Sequence, residues 1–181
     1  MTSLFPHLLH PRISFLVLLI ILAIAIAATC AVLAFANTRK FRNVILVWLI
    51  ACLYLMFHIA IFGRESREFY SLHLIPFWSI ESIQNGFVET LYEKINNILF
   101  FIPFGCLLGI YFKEKVISRS LTIGAVTSIT IELLQLITKT GTCETDDVIC
   151  NTVGCAIGSV LVYGLRCMVY GLFKRSSVQE L

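Results

Sequence analysis

Five long, mostly apolar segments constrain the fold of this chain more than any other feature of its sequence. They cover residues 13–36, 44–62, 95–112, 121–137 and 148–170. A helix that crosses a bilayer needs roughly 20 mostly apolar residues. Charged residues make up 14% of the chain, whereas about 25% is usual for a soluble domain. The sequence therefore predicts an all-α, polytopic membrane protein, a bundle of about five transmembrane helices.

The basic residues between these segments predict the orientation of the chain. With five spans, one side of the membrane carries Arg39, Lys40, Arg42, Lys113, Lys115, Arg119, Lys174 and Arg175. The other side carries Arg12, Arg64, Arg67, Lys94 and Lys139. Because the richer side usually faces the cytoplasm, we expect a multi-pass protein of the cell membrane with its N-terminus outside and its C-terminus in the cytoplasm. The basic residues form no single patch, so no nucleic-acid partner is expected.

The first apolar segment could instead be a cleaved signal peptide, because "AFANTRK" offers an Ala-x-Ala site at Ala34 to Ala36. Its apolar core is longer than the usual 7 to 15 or so residues, and basic residues follow it rather than precede it. We therefore expect it to be retained as a transmembrane helix.

The connection over residues 63–97 contains an apolar pattern with helical spacing. Ser79 can cap the start of this helix. We expect one amphipathic helix that lies along the outer membrane surface and continues into the third span. A helix packed against the other spans is the alternative. The apolar positions are Ile80, Ile83, Phe87, Leu91 and Ile95.

Polar residues recur at one depth in the predicted outer half of the membrane. Glu132 lies five residues before the external end of the fourth span, roughly 7 to 8 Å deep, and Gln135 projects from the same face. Asn151 lies about 5 to 6 Å into the fifth span. Together they predict a partly hydrated polar recess, to which the other contributors are Arg64, Arg67, Asn97, Asp146 and Asp147.

Two interpretations of these polar residues are open. Amides and carboxylates can join transmembrane helices by hydrogen bonds worth roughly 0.6 to 2 kcal/mol each, and Asp146 and Asp147 would then cap the fifth helix. Ionisable residues inside a membrane are, however, functional candidates by default. Pairing with Arg64 or Arg67 would reduce the cost of burying Glu132.

Metal and disulfide sites are weakly indicated. Glu144, Asp146 and Asp147 offer oxygen ligands for a divalent cation, but their spacing matches no loop motif, and we expect neither a metal nor a cofactor. The seven cysteines contain no C-x-x-C pair and are expected to pack as small apolar residues. A bridge between Cys143 and Cys150 is open.

Small residues are spaced for close helix packing. Gly105 and Gly109 are one turn apart in the third span, and Gly154 and Gly158 repeat this spacing in the fifth. Such pairs let helix backbones approach each other closely. Pro103 lies inside the third span, where neighbouring helices can satisfy the carbonyl that it leaves unbonded.

The order of these motifs resembles the VanZ-like family of bacterial membrane proteins. An Arg after the second span, "LIPF", an Asn before "FIPFG", a Glu-x-x-Gln pair and "DDVICNTVG" follow one another between residues 44 and 163. The family's namesake is associated with resistance to the glycopeptide teicoplanin. Carried over position by position, the family signature falls on Arg64 or Arg67, Pro76, Phe77, Asn97, Pro103, Gly105, Glu132, Gln135, Asp146, Asp147, Asn151 and Gly154.

Two features depart from the family pattern. Family members commonly carry an Arg before the Gly of the fourth connection, where this chain has Thr140. The first span is an addition in front of the four-helix core that the resemblance implies. The expected organisation is thus an extra span and basic loop over residues 1–43, a VanZ-like core over 44–170 and a cytoplasmic tail over 171–181.

The resemblance implies a role at the cell envelope without defining a reaction. We expect the outer recess to bind a lipid-linked or anionic envelope component among the membrane lipids, and to contribute to glycopeptide resistance. One alternative is an intramembrane enzyme that modifies a lipid or prenyl-linked substrate, with Glu132 as general acid or base, although no nucleophile is recognisable beside it. Another is a structural or regulatory membrane subunit.

Overall fold

The computed structural model describes residues 39–62, 64 and 66–179, with the side chains of 41–62, 64 and 66–168. The described elements are α1 (Arg39–Phe57), a π-helical turn (His58–Phe62), β1 (Ser71–His73), α2 (Trp78–Gln84), α3 (Val88–Tyr111), α4 (Val116–Thr138), β2 (Thr142–Glu144) and α5 (Thr145–Gln179). Ile45 is the first residue of the compact unit that contains the contacts described below.

Four stretches of the described chain are helical, long enough and apolar enough to cross a membrane. The polytopic helical class is therefore confirmed, while the predicted first span over residues 13–36 lies outside the described residues. All four begin earlier than hydropathy alone indicated, because their first turns contain polar or charged residues such as Arg42, Glu89 and Asp146. The four stretches are Phe41–Phe62, Val88–Tyr111, Val116–Thr138 and Thr145–Met168.

The predicted continuous helix from Ser79 into the third span is wrong, because the chain breaks between α2 and α3. Gly86 has a φ of 90°, a conformation that glycine adopts without steric cost. The expected cap is also wrong. Phe77 occupies the N-cap position of α2 with a left-handed φ of 66°, and the Ser79 hydroxyl donates a hydrogen bond to Asp146 instead.

Glycines bring the backbones of α3 and α5 into direct contact. A Cβ added to Gly154 would lie 2.1 Å from the carbonyl oxygen of Ile98, and one added to Gly105 would lie 2.1 Å from that of Cys155. Next to this contact, Phe101 and Phe104 are buried and meet edge to face. The two helices can therefore approach this closely only while both positions lack a side chain.

Two short strands connect the loops at one end of the bundle, a feature that the sequence did not predict. β1 and β2 pair in parallel, with Ser71 opposite Thr142 and His73 opposite Glu144. The pairing joins the connection that follows the π-helical turn to the connection between α4 and α5. Residues from α3, α4 and both connections consequently meet at this end.

We expect Gly154→Ala to destabilise the protein, because its methyl group would collide with the backbone of α3. Overpacking of this kind typically costs about 1 to 3 kcal/mol. The measurement is thermal unfolding in detergent, together with abundance in the membrane. Gly164→Ala is the matched control on the same helix, since a Cβ there meets nothing within 4 Å and alanine favours a helix by about 1 kcal/mol. Equal stability of the two variants would contradict the proposed close contact.

Candidate functional site

A buried lysine ion-pairs with two carboxylates at the end of the bundle that carries the strands. Lys94 of α3 is 6% exposed, and its Nζ lies 2.5 Å from Glu144 Oε2. It also donates to Asp147 Oδ1 in the first turn of α5. The ammonium group lies 5.3 Å from the centre of the Trp78 ring, which adds a cation–π contact. One cation thus connects α3, β2, α5 and α2.

Glu132 is buried beside this ion-pair cluster. It is 3% exposed, and its Oε2 accepts a hydrogen bond of 3.0 Å from the backbone N–H of Glu144. The charges of Asp147, Glu144 and Arg64 all act on it. The expected salt bridge from Arg64 or Arg67 to Glu132 does not form, and the salt bridges of the described chain both belong to Lys94.

Asp146 makes its hydrogen bonds to the turn that follows Pro76, not to the lysine. Its Oδ1 accepts the backbone N–H of Phe77 at 2.5 Å. Its Oδ2 accepts the backbone N–H of Ser79 at 2.9 Å and also the Ser79 hydroxyl. These three bonds hold Phe77 in its left-handed conformation, which is unfavourable for a residue with a side chain. Asp146 is therefore used within the protein to position α2.

Two predicted amides join helices rather than face an open site. Gln135 Nε2 donates to the carbonyl oxygen of Ala60 at 3.2 Å, within the π-helical turn. Asn151 Nδ2 donates to Ser128 Oγ at 2.8 Å. Asn97 is half-buried on α3, three residues beyond Lys94. The hydrogen-bonding interpretation of these polar residues therefore applies directly to Gln135 and Asn151.

Three exposed or half-exposed cations surround the C-terminal end of α4. The backbone N–H of Arg67 donates to the carbonyl of Lys139 at 2.7 Å, and its Nη1 donates to Thr142 Oγ1 at 3.0 Å. Arg64 Nη1 would lie 3.1 Å from a Cβ on Gly141. Lys139 Nζ lies 4.7 Å from the centre of the Tyr70 ring. We call Arg64, Arg67 and Lys139 the basic rim. The partial negative charge at the C-terminus of a helix stabilises cations placed near it.

Lys94 is the functional candidate that sequence reasoning missed. Hydropathy begins the third span at residue 95 and therefore places Lys94 in the loop before it. The signal that could have identified it is its position seven residues before Phe101, which places both on one helix face. Because that face is buried further along α3, a lysine on it requires a carboxylate partner.

The three carboxylates considered for a divalent cation do not converge. Asp146 bonds to Phe77 and Ser79, while Glu144 and Asp147 share Lys94. In the part of the chain that the structure describes, no group of three or more His, Cys, Asp or Glu side chains is placed to hold a metal ion. Cys143 and Cys150 carry free thiols, so the bridge considered between them is not formed.

Burial raises the pKa of two groups in the connection between α4 and α5, Glu144 and Cys143. Desolvation raises the pKa of the Glu144 carboxyl above its ordinary value, and the hydrogen bond from Lys94 opposes part of this rise. Desolvation likewise raises the pKa of the Cys143 thiol. At neutral pH a buried thiol of this kind behaves as a packing group rather than as a thiolate nucleophile.

These features define a helical membrane protein with a buried ion-pair cluster at one end of its bundle. The model of the VanZ/LLP1 family matches residues 41–167, so the chain belongs to this family. It is 35% identical over 122 residues to the Protein VanZ of Enterococcus faecium, an alignment that covers 67% of this chain and 68% of that protein. No solved structure matches the chain. The resemblance drawn from the motif order is thus confirmed.

Lys94→Met is expected to destabilise the protein strongly, because it leaves the half-buried carboxylates of Glu144 and Asp147 without their cation. Breaking a buried ion pair by removing one partner typically costs about 3 to 5 kcal/mol. Thermal unfolding in detergent at neutral pH measures the loss. Lys113→Met, at an exposed lysine, controls for the change in net charge. A Lys94→Met protein as stable as the Lys113→Met protein would show that the ion pairs of Lys94 do not contribute to the stability of the fold.

The raised pKa of Glu144 predicts a pH dependence of stability. Because folded Glu144 binds its proton more tightly than the unfolded chain does, its contribution is full at low pH and is lost as the pH rises through the raised pKa. As the pH rises above about 4.3, the ordinary pKa of a glutamate, the melting temperature should fall more steeply in the wild type than in Glu144→Gln. Glu81→Gln, at an exposed carboxylate, should keep the wild-type slope. Parallel curves for all three proteins would rule out this contribution.

Proposed function

We propose that this VanZ-family protein acts at the outer face of the cell membrane by binding the anionic head group of a lipid-linked or lipid-anchored envelope component. Binding of this head group would change how a lipophilic glycopeptide such as teicoplanin binds at the membrane surface, and would thereby contribute to resistance. The observation that carries the proposal is the basic rim, whose three cations lie together while Glu144, Asp146 and Asp147 are engaged elsewhere.

The electrostatics of the rim support an anionic ligand. Glu144 and Asp147 are paired with Lys94, and Asp146 is bonded to α2. Arg64 and Arg67 form no salt bridge within the described residues, and their side chains are exposed. A guanidinium group presents a planar fork of N–H donors that suits a phosphate or carboxylate. The rim can therefore accept an anion without first giving up an ion pair.

The surroundings of the rim support a ligand that is held in a membrane. Phe69, Tyr70 and Ile75 in the adjoining connection are exposed apolar or aromatic residues. Backbone outside helices is tolerated near lipid only where its polar groups are satisfied, and the β1–β2 pair and the Asp146 bonds satisfy part of this connection. A cationic rim beside exposed aromatic residues is typical of the zone where lipid head groups lie.

The alternatives have narrower support. The general acid or base role would fall on Glu132, which is buried, but within the described residues its hydrogen bond is to a backbone N–H and not to a nucleophile. A purely structural role fits the bonds of Asp146, Gln135 and Asn151. It leaves the grouping of the three rim cations without an explanation.

A sensitive Gram-positive host that expresses the wild-type chain is expected to tolerate more teicoplanin than the empty host. The double variant Arg64→Gln, Arg67→Gln should lose this protection at matched membrane abundance, because it removes the two guanidinium groups. Arg119→Gln is the control, since Arg119 is also exposed but lies near the opposite end of α4. The measurement is the minimal inhibitory concentration.

A binding assay separates the ligand from the phenotype. Purified wild-type protein should retain phosphatidylglycerol in preference to phosphatidylcholine, as read by native mass spectrometry, and the double variant should show no preference. Protection or lipid preference that survives in the double variant would overturn the role of the rim. A wild-type chain that gives no protection would overturn the resistance part of the proposal.

A further inference from the structure

Gly141 leaves a small space between two polar side chains beside the basic rim. A Cβ placed on Gly141 would lie 3.1 Å from Arg64 Nη1 and 3.2 Å from Gln135 Oε1, closer than the optimum of about 3.5 to 4.0 Å for non-bonded heavy atoms. Gly141 does not have the positive φ that requires a glycine. What this position provides is therefore the absence of a side chain. We call the space between Gly141, the Arg64 guanidinium group and the Gln135 amide the glycine crevice.

The amide of Gln135 presents a hydrogen-bond acceptor to the glycine crevice. Its Nε2 donates to the carbonyl oxygen of Ala60 at 3.2 Å. Because a carbonyl oxygen can only accept, this bond fixes which amide atom is the nitrogen, and Oε1 is the atom beside Gly141. The residue is 3% exposed, so its side chain has little freedom to turn. Among the described residues, no donor is bonded to Oε1.

Arg64 presents hydrogen-bond donors to the same crevice. Its neighbour in the rim, Arg67, already donates through Nη1 to Thr142 Oγ1. The Arg64 guanidinium group makes neither a hydrogen bond nor a salt bridge with any residue that the structure describes, although the charge of Arg64 acts on Glu132 at longer range. Because the Arg64 side chain is also exposed, it can move to contact a ligand without breaking a bond within the protein.

A donor and an acceptor beside one small space suit a hydroxyl group. A hydroxyl carries one O–H donor and two acceptor lone pairs, so it can accept from Arg64 and donate to Gln135 Oε1 at the same time. An ionised phosphodiester oxygen can accept from Arg64 but has no proton to give to the amide oxygen. The crevice therefore indicates a ligand in which a hydroxyl group lies beside the anionic group.

We propose that the glycine crevice recognises a hydroxyl group of the bound head group, so that the preferred ligand is the phosphodiester of a polyol in a lipid. The head group of phosphatidylglycerol is a simple example. This inference rests on the anion site proposed above at the basic rim. The rim cations bind the phosphate, and the neighbouring hydroxyl enters between Arg64 and Gln135. Gln135 is thus the residue that distinguishes this head group from an anion without a hydroxyl.

Two lipids of equal charge test this assignment. Phosphatidylpropanol has the phosphodiester and the three head-group carbons of phosphatidylglycerol but lacks its hydroxyl groups. From an equimolar mixture with matched acyl chains, the purified wild-type protein should retain phosphatidylglycerol roughly three- to tenfold more, the effect of about one hydrogen bond. Native mass spectrometry measures the ratio. Equal retention of the two, both above phosphatidylcholine, would overturn the crevice but not the anion site. Equal retention of all three lipids would overturn both.

Gly141→Ala fills the crevice without changing any charge. Its methyl group meets the ends of two side chains rather than backbone, so we expect a melting temperature close to that of the wild type. The variant should still prefer phosphatidylglycerol to phosphatidylcholine but should retain phosphatidylglycerol and phosphatidylpropanol equally. Gly164→Ala, where a Cβ meets nothing within 4 Å, is the matched control and should keep the wild-type ratio. A wild-type ratio in Gly141→Ala would overturn the crevice, and the wild-type comparison decides the question if this variant fails to fold.

Soluble glycerophosphoglycerol distinguishes a lipid ligand from a free phosphodiester. It carries the same head group without acyl chains, so the exposed apolar residues beside the rim, such as Phe69 and Ile75, have no chain to contact. We expect it to displace phosphatidylglycerol only when present in large excess. Displacement at an equimolar concentration would overturn the assignment of a lipid and indicate a free phosphodiester instead.

Discussion

The cost of burying the Lys94 ammonium group among apolar helices is the constraint on which the rest of this structure depends. The desolvation penalty is several kcal/mol per ion, and only good geometry with carboxylates offsets it. Those carboxylates come from β2 and from the first turn of α5. Because the partners belong to separate elements, pairing Lys94 fixes the end of α3 against the connection between α4 and α5. The β1–β2 pair then aligns the other connection with them.

Close backbone packing makes this pairing possible. Gly154 contacts the carbonyl of Ile98, and Ile98 is one helical turn beyond Lys94. Asp147 is two turns before Gly154 on α5. A side chain at Gly154 would push α5 away from α3 and would lengthen the distance that the lysine must span. The glycines and the ion pairs are therefore parts of one arrangement, in which apolar contact in the bundle sets the geometry of the charges.

The sequence predicts the helices well because their lengths and compositions depend on local residues alone. It fails at the break beside Gly86, where a single backbone conformation overrides an otherwise continuous apolar pattern. It also misses both strands, because three residues are too few to show a period and each pairs with a segment far away in the chain. The pairing of Lys94 is missed for the same reason, since Glu144 and Asp147 lie 50 and 53 positions from it.

Depth along a helix, which a sequence gives readily, does not determine the direction of a side chain. Asp146 and Asp147 lie at nearly the same depth, yet successive residues on a helix point about 100° apart. One therefore bonds to α2 and the other reaches Lys94. The residues predicted as one recess consequently divide into three groups: bonds that position α2, ion pairs and amides between helices, and the basic rim. Of these, the rim retains charged groups that no ion pair within the described chain uses, which is why a ligand is more reasonably sought there than at the carboxylates.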